Sequence, residues 1–206
     1  MGISDLVLSL GGEKVAAQLL EIRWHGRGGQ GAKTAAQLLA EAAAAAGKFI
    51  QGFPEYGPER MGAPVQAFTR ISDRPIWLHC QITEPGIVVV LDPTLLRRGD
   101  ITRGLRQEGL ILINSDQQPS VIKRALDQNY RVCTVDASRI AKETIGRAIP
   151  NTPLLGALIR VAEIIPLERL LAETERKLAR RFADRPEIVS GNLVAVRRAY
   201  EEVEDG

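Results

Sequence analysis

The sequence predicts an α/β fold with three layers, α/β/α, built on a mixed sheet and followed by C-terminal helices. Short apolar runs of strand length recur through the first two thirds of the chain, and helix-like segments separate several of them. This alternation predicts parallel strands. Two adjacent strand-like runs joined by a short turn predict an antiparallel portion. After Asp136 the pattern is mostly helical, which supplies the C-terminal helices.

The predicted strands are short, apolar and bounded by Gly, Pro, Asp or Ser. They lie at residues 21–25, 48–51, 65–71, 76–82, 87–91, 109–113 and 130–135. The run 87–91 is wholly apolar, which is typical of a central buried strand. Residues 72–75 read as the turn of a hairpin between 65–71 and 76–82.

Three helices stand out after the first strand. An alanine-rich helix is predicted at 30–46, ended by Gly47 as a C-cap. A second is predicted at 120–127, with Ser120 able to cap it. The last, at 188–203, carries a stripe of apolar residues spaced by three and four, namely Val189, Leu193, Val196, Tyr200 and Val203. Such a stripe favours packing on its own domain over a subunit interface.

Residues 1–20 read as an N-terminal extension with short amphipathic pieces, and residues 21–206 as one domain. A net charge of +2 does not indicate nucleic acid or a membrane as a partner. The basic stretch 176–185 reads as a solvated helix face rather than a binding surface. Cys80 and Cys133 are far apart and form no cluster, so a disulfide framework or an iron–sulfur site is not supported. With no signal-peptide pattern and no long apolar run, we expect a cytoplasmic protein.

The most informative motif is a glycine loop between the first strand and the alanine-rich helix. It reads Gly26-Arg27-Gly28-Gly29-Gln30-Gly31. A strand, a glycine-rich turn and a helix N-terminus in that order can present backbone N–H groups to an anion. Arg27 would add a fixed charge suited to phosphate. The alternative is that the glycines allow tight packing on a neighbouring chain.

Two better-known nucleotide motifs fit this loop less well. The loop matches GxGxxG, but the next strand ends without the carboxylate that binds a ribose in dinucleotide sites, and Glu55 comes late. The loop lacks the terminal Gly-Lys-Ser/Thr of a P-loop. An NAD-dependent enzyme therefore stays a less favoured hypothesis.

Other candidate residues carry two interpretations each. The irregular loop 52–64 places Glu55, Tyr56 and Glu59 either at a partner or active-site mouth or in ordinary loop contacts. Asp92 follows a buried strand, where an N-cap role is favoured over catalysis. His25 is favoured as a structural histidine. The two tryptophans, Trp24 and Trp77, are expected in the core or an interface.

Three long segments in order resemble the gamma subunit of 2-oxoacid:ferredoxin oxidoreductases, in the pyruvate and 2-ketoisovalerate branch that includes pyruvate:ferredoxin oxidoreductase (pyruvate synthase). They are IRWHGRGGQGAKTAAQLLA, QGFPEYGPERMGAPVQAFTRIS and VVVLDPTLL. The likeness is dense from 22 to 96, thinner through 109–115, 136–140 and 151–158, and does not include residues 1–20.

This resemblance implies a multi-subunit enzyme that oxidatively decarboxylates a 2-oxoacid to acyl-CoA and reduces ferredoxin. It implies that thiamine diphosphate, Mg and iron–sulfur clusters lie on alpha, beta and delta-type partner subunits. The gamma-type chain would cap the active site and contribute to binding coenzyme A. It would not be catalytic alone.

The resemblance also implies roles for particular residues. The glycine loop and the segment around Arg60 match the region that holds the adenosine-phosphate end of coenzyme A in single-chain relatives. Arg27 and Arg60 would then contact phosphate. Those relatives carry a lysine pair where this chain has Glu59-Arg60, so one charge is reversed. The competing hypothesis is a purely structural assembly subunit in which both arginines pair with carboxylates of a partner.

Overall fold

A computed structural model of the chain describes residues 19–54, 61–98, 101–126 and 130–206. They form a seven-stranded mixed sheet with the order β2-β3-β1-β4-β5-β6-β7. The strands are β1 Leu20–Arg27, β2 Phe49–Pro54, β3 Pro64–Ser72, β4 Ile87–Val90, β5 Leu110–Asn114, β6 Arg131–Val135 and β7 Glu204–Asp205. Strands β1, β4, β5 and β6 pair in parallel, and the remaining pairs are antiparallel.

Helices cover the two faces of this sheet unequally. They are α1 Ala32–Ala45, α2 Pro119–Leu126, α3 Ala137–Ile145, α4 Asn151–Ala162, α5 Leu167–Arg181 and α6 Pro186–Glu202. Helices α1, α3, α4, α5 and α6 share one hydrophobic core with one face of the sheet. The other face packs on α2 and on a 3-10 helix at Pro93–Arg98. The three-layer fold with a mixed sheet and C-terminal helices is therefore confirmed.

Alternation along the strands explains the two cores. In β4, Val89 points to the large helical layer, while Val88 and Val90 point to the smaller layer. All four residues of β4 are buried, as its wholly apolar run predicts for a central strand. In β1, Ile22 faces α1, as does Trp24, whose Nε1 donates to Thr69 Oγ1 at 3.0 Å. Trp24 is therefore a core residue.

The opposite face of β1 and β3 holds a buried charged network. Arg70 on β3 donates through Nε to Glu21 Oε1 on β1 at 2.9 Å, and Arg106 reaches Glu21 Oε2 at 2.8 Å. A buried charge needs a partner and hydrogen bonds to offset the loss of water. The alternating charged residues of β1 thus face polar partners while the apolar ones face α1.

Two predictions about strands are wrong. No strand forms at 76–82, and this run is not the hairpin partner of β3, because β3 already pairs with β1 on one side and β2 on the other. Only Ile82 of that run is buried, and Trp77 is 83% exposed, so Trp77 is not a core residue. The hairpin partner of β3 is instead β2, which continues to Pro54, past the predicted end at residue 51.

The helices agree with the sequence more closely. Helix α1 ends at Ala45, and Gly47 follows with a φ of +83°, as a C-terminal glycine requires. Ser120 is not a cap, because α2 already begins at Pro119. Four of the five stripe residues of α6 pack into or against the large core of their own domain, as favoured, and Val189 is also buried. No helix in the described ranges is both long and apolar enough to cross a bilayer.

Candidate functional site

The glycine loop lies where the parallel strands β1 and β4 end side by side. In β1, His25 pairs with Val90, so the residues after both strands meet at the same edge of the sheet. That edge is where open α/β sheets place their ligands. Gly29 and Gly31 have φ values of +98° and +83°, which side chains with a Cβ rarely adopt. The loop conformation therefore depends on glycine.

A second segment, residues 61–63, is hydrogen-bonded to the glycine loop. Gly28 N donates to Ala63 O at 2.9 Å, and Gly62 N donates to Gly28 O at 3.1 Å. Met61 and Gly28 form an isolated parallel bridge. Residues 32–60 separate these two segments in the sequence, yet the fold brings them into contact.

Arg27 is bound within the chain by three groups. Its Nε donates to Asp92 Oδ2 at 2.9 Å, Nη1 to Gly62 O at 3.1 Å and Nη2 to Thr94 Oγ1 at 2.9 Å. The guanidinium carries five N–H donors, so two remain for another partner. Its side chain is 29% exposed. Arg27 therefore joins the glycine loop, the segment at 62 and the end of β4.

Gln30 closes the loop from within. Its Oε1 accepts from Arg27 N at 2.8 Å, and its Nε2 donates to Asp92 Oδ2 at 3.0 Å. The backbone adds a third bond, from Gln30 N to Arg27 O at 3.0 Å. Gln30 and Arg27 thus converge on one carboxylate oxygen, which fixes the loop against β4.

Asp92 is the centre of this network. Its Oδ1 accepts from the N–H and hydroxyl of Thr94, as an N-cap does, and Oδ2 accepts from Arg27 and Gln30. Burial opposes ionisation of Asp92, but the hydrogen bonds from Thr94 and Gln30 and the charge of Arg27 together lower its pKa below the ordinary value. Asp92 is therefore a carboxylate at neutral pH, and it caps the 3-10 helix while holding the glycine loop.

Helix α1 begins directly after the loop without a side-chain cap. Gly31 occupies the N-cap position and, as a glycine, has no side chain to accept from the first amides of the helix. The first backbone bond of α1 runs from Ala35 N to Gly31 O, so the three preceding amides have no helical acceptor. A Cβ on Gly31 would lie 2.6 Å from Asn151 Nδ2, which places the first residue of α4 beside this helix start. Uncapped amides at a helix N-terminus attract an anion.

His25 is a structural residue next to the loop. It is buried, and its Nε2 accepts from Arg23 Nε at 2.9 Å. Arg23 also donates to the carbonyl oxygens of Ile101 and Arg103. Burial first, and then the charge of Arg23, lower the pKa of His25 from 6.5 to about 3. The imidazole is therefore neutral, and it serves the packing of β1 rather than a ligand.

This buried neutral histidine predicts a loss of stability in mild acid. Below the unfolded pKa of 6.5 the unfolded chain binds a proton that folded His25 does not bind until about pH 3. The free energy of unfolding should fall by about 1.4 kcal/mol per pH unit in that window, or about 2 kcal/mol at about pH 5. Urea unfolding between pH 7 and pH 5 measures the slope.

Two variants identify the source of that slope. His25→Gln keeps an acceptor for Arg23 and should flatten the pH dependence. His79→Gln, at an exposed position, should leave it as in the parent protein. Equal slopes in the parent and His25→Gln would show that folded His25 takes up its proton as readily as the unfolded chain does.

The structure brings together six of the seven candidate site residues. Gly26, Arg27, Gly28, Gly29, Gln30 and Gly31 form the end of β1 and the loop. Arg60 lies outside the described residues, as do Glu55, Tyr56, Glu59 and residues 1–18. Sequence reasoning missed Thr94 and Asn151, and it did not connect Asp92 to the loop. Within the described ranges, no three His, Cys, Asp or Glu side chains come together as a metal site.

Comparison with known proteins gives one family. Residues 21–202 match the family described as pyruvate ferredoxin/flavodoxin oxidoreductase. The chain is 48% identical over 189 residues to pyruvate synthase subunit PorC of Thermotoga maritima, covering 92% of this chain and 97% of that protein. It is 43% identical over 187 residues to the common gamma subunit of the pyruvate/ketoisovalerate oxidoreductases of Pyrococcus furiosus, covering 90% and 98%.

Comparison with solved structures supports the same family. The crystal structure of pyruvate oxidoreductase subunit PORC from Thermotoga maritima matches with a TM-score of 0.79 and 46% identity, over 91% of this chain and 98% of that chain. A 2-oxoglutarate:ferredoxin oxidoreductase from Magnetococcus marinus, with 2-oxoglutarate, coenzyme A and succinyl-CoA bound, shares the fold. Its TM-score is 0.71 at 20% identity, over 89% of this chain and 30% of that longer chain. The chain therefore belongs to the pyruvate ferredoxin/flavodoxin oxidoreductase family, as a gamma subunit of a multi-subunit pyruvate or 2-oxoacid:ferredoxin oxidoreductase.

Proposed function

We propose that this gamma subunit caps the active site of the complex and binds the adenosine-phosphate end of coenzyme A with its glycine loop. Arg27 and Arg60 are the charged partners of the phosphate, assisted by backbone N–H groups of 28–31. The complex oxidatively decarboxylates a 2-oxoacid, with pyruvate as the expected substrate, to acyl-CoA and reduces ferredoxin. The chain contributes binding and shielding rather than the chemical step.

The observation that carries this proposal is the uncapped start of α1 beside a backbone loop that depends on glycine. Gly29 and Gly31 adopt positive φ, and Gly31 at the N-cap has no side chain to cap the first amides of α1. A phosphate group satisfies such amides and is favoured by the positive end of the helix dipole. The structure from Magnetococcus marinus offers a parallel at the level of the fold, since a domain of this shape belongs to an enzyme with coenzyme A bound.

Arg27 supports the proposal in two ways. Its bonds to Asp92, Gly62 and Thr94 hold the glycine loop in one conformation before any ligand arrives. Its two remaining N–H donors are available to a phosphate oxygen. Since Asp92 offsets part of the charge of Arg27, we assign the stronger charge contact to Arg60, which directly precedes Met61 in the sequence.

The other cofactors are assigned to partner subunits. Cys80 is exposed and Cys133 is buried, and the two form no disulfide. Two separate cysteines do not suit a [4Fe–4S] centre, which takes four thiolates. We therefore place the iron–sulfur clusters, thiamine diphosphate and Mg on alpha, beta and delta-type subunits, with ferredoxin as acceptor, in a cytoplasmic complex.

One observation favours a second candidate, a purely structural assembly subunit. Arg27 already has a carboxylate partner in its own chain, so the glycine loop is stable without a phosphate. In this alternative the glycine loop packs on a catalytic subunit and coenzyme A binds elsewhere.

Calorimetric titration distinguishes these candidates. Coenzyme A, dephospho-coenzyme A and NAD are titrated into the chain and into the reconstituted complex. We expect coenzyme A to bind most tightly, and Arg27→Ala and Arg60→Ala each to weaken binding by about tenfold, as for a charged hydrogen bond. Arg124→Ala, on α2 at an exposed position, is the matched control. Unchanged affinity in the double variant would leave the chain as an assembly element.

A further inference from the structure

A groove lined by basic side chains lies between α1 and α5, separate from the glycine loop. Its volume is about 420 Å³, and its lining residues are Glu41, Arg176, Lys177, Arg180 and Arg181. We call it the basic groove. Glu41 comes from α1, and the four cations come from the C-terminal half of α5.

The charge of this region is out of proportion to that of the chain. Residues 176–185 contain five Lys or Arg and one Asp, a net charge of +4, whereas the whole chain carries +2. The rest of the chain is therefore net negative by two charges. A local concentration of one sign on a nearly neutral chain creates a directed electrostatic field.

The spacing of the cations works against the stability of α5. Arg176 and Arg180 are four residues apart, as are Lys177 and Arg181, and like charges at that spacing repel on a helix surface. Arg176 pairs with Glu173, and Lys177 pairs with Glu41 at 2.9 Å. In the described parts of the chain, neither Arg180 nor Arg181 has an ion-pair partner. The helix dipole accounts for cations in the last turn, but not for the pair one turn earlier.

Two arginine side chains at the C-terminal end of the groove are held by contacts with an aromatic ring. The guanidinium carbons of Arg181 and Arg185 each lie 5.5 Å from the centre of the Phe182 ring. Cation–π contacts of this kind restrict long side chains that would otherwise sample many rotamers. Two arginines are thereby held at the surface, where less freedom is lost when they bind an anionic group.

We propose that the basic groove docks an acidic protein that binds reversibly; resting on the proposed function, that protein is the electron acceptor ferredoxin. Stable subunit interfaces are depleted of charge at their cores, whereas charged patches suit partners that are steered together and released. A nucleic acid fits less well, because single strands bind on exposed aromatic rings as well as on cations. The Phe182 ring is occupied by arginines and does not offer a face for base stacking.

The test uses the reconstituted complex with two electron acceptors. The double variant Arg180→Glu/Arg181→Glu should raise the KM for ferredoxin by about tenfold or more at about 50 mM salt. The difference should shrink as salt rises to about 0.5 M. Reduction of methyl viologen, a small acceptor that needs no docking surface, should be unchanged. Arg180→Lys/Arg181→Lys keeps the charge and should retain the parental KM.

The control and the contrary outcomes separate this inference from the proposed function. Lys123→Glu/Arg124→Glu makes the same change of charge on α2 and should leave both acceptors unaffected. An equal rise of KM in that control, or an unchanged KM in the groove variant, would overturn the inference.

Loss of complex assembly in the groove variant would instead make the groove a permanent subunit contact. A single-stranded oligonucleotide that displaces ferredoxin and depends on the same arginines would favour nucleic acid. If the parent complex did not reduce methyl viologen when supplied with a 2-oxoacid and coenzyme A, that result would count against the proposed function itself.

Discussion

Substituting Gly156 with alanine is expected to destabilise the protein by about 3 kcal/mol or more, at the upper end of overpacking effects. Gly156 lies in α4 where that helix crosses α6. A Cβ at this position would lie 2.0 Å from Val196 O, a backbone atom of α6 that no side-chain rotation can move. The two helices must therefore separate, and the large core between them and the sheet must loosen.

Urea unfolding of Gly156→Ala and a matched variant measures this cost. Gly52→Ala is the control, because a Cβ there would meet its nearest neighbour, Ala40 Cβ, at 3.6 Å, an ordinary contact distance. The control should lie within about 0.5 kcal/mol of the parent. Equal stability of the two variants would mean that α4 and α6 do not approach as closely as described.

The second large effect is expected at Asp92. Among the described residues, four donors face its carboxylate, two from Thr94 and one each from Arg27 and Gln30. Asp92→Asn keeps the shape but turns one acceptor into an NH₂ donor, which must then face a donor. The charge that pairs with Arg27 is also lost. We expect the glycine loop to lose its fixed conformation and coenzyme A binding by the complex to weaken about 10- to 100-fold.

Calorimetric titration of coenzyme A into the complex assembled with Asp92→Asn measures this change in affinity directly. Asp73→Asn is the matched control, since Asp73 is exposed and pairs only with Lys48 at the surface in the described chain. The control should bind coenzyme A as the parent does. Parental affinity in Asp92→Asn would show either that the loop keeps its shape without the carboxylate or that the coenzyme does not contact the loop.

The sequence predicted those parts of the site that depend on neighbouring residues, but not the contacts between residues far apart in the chain. The glycine loop follows a strand and precedes a helix, and each of those steps is a short-range pattern. The contact between Arg27 and Asp92 joins residues 65 positions apart. It exists because β4 lies parallel to β1, which no local pattern states. The N-cap role of Asp92 was local and is confirmed, whereas its contacts with Arg27 and Gln30 are tertiary.

The wrong predictions about strands have the same cause, because strand pairing joins residues that are far apart in the sequence. The run 76–82 has the composition of a strand, but its expected partner β3 pairs with β1 and β2 instead, which the local sequence does not indicate. Strand β7 has only two residues, both charged, so its composition does not predict a strand. It is held beside β6 by backbone pairing and by the ion pair between Arg131 and Asp205. The apolar stripe of α6, by contrast, predicted its buried face, because helical periodicity is a local property.

The measurement that tests the central claim most directly is a structure of the reconstituted complex with coenzyme A bound. We predict a phosphate oxygen of the coenzyme within about 2.7–3.2 Å of a backbone nitrogen at the start of α1 or in the glycine loop. We also expect Arg60 beside that phosphate. Coenzyme A bound away from this chain, with the glycine loop packed against a partner subunit and Arg60 paired with a partner carboxylate, would contradict the central claim.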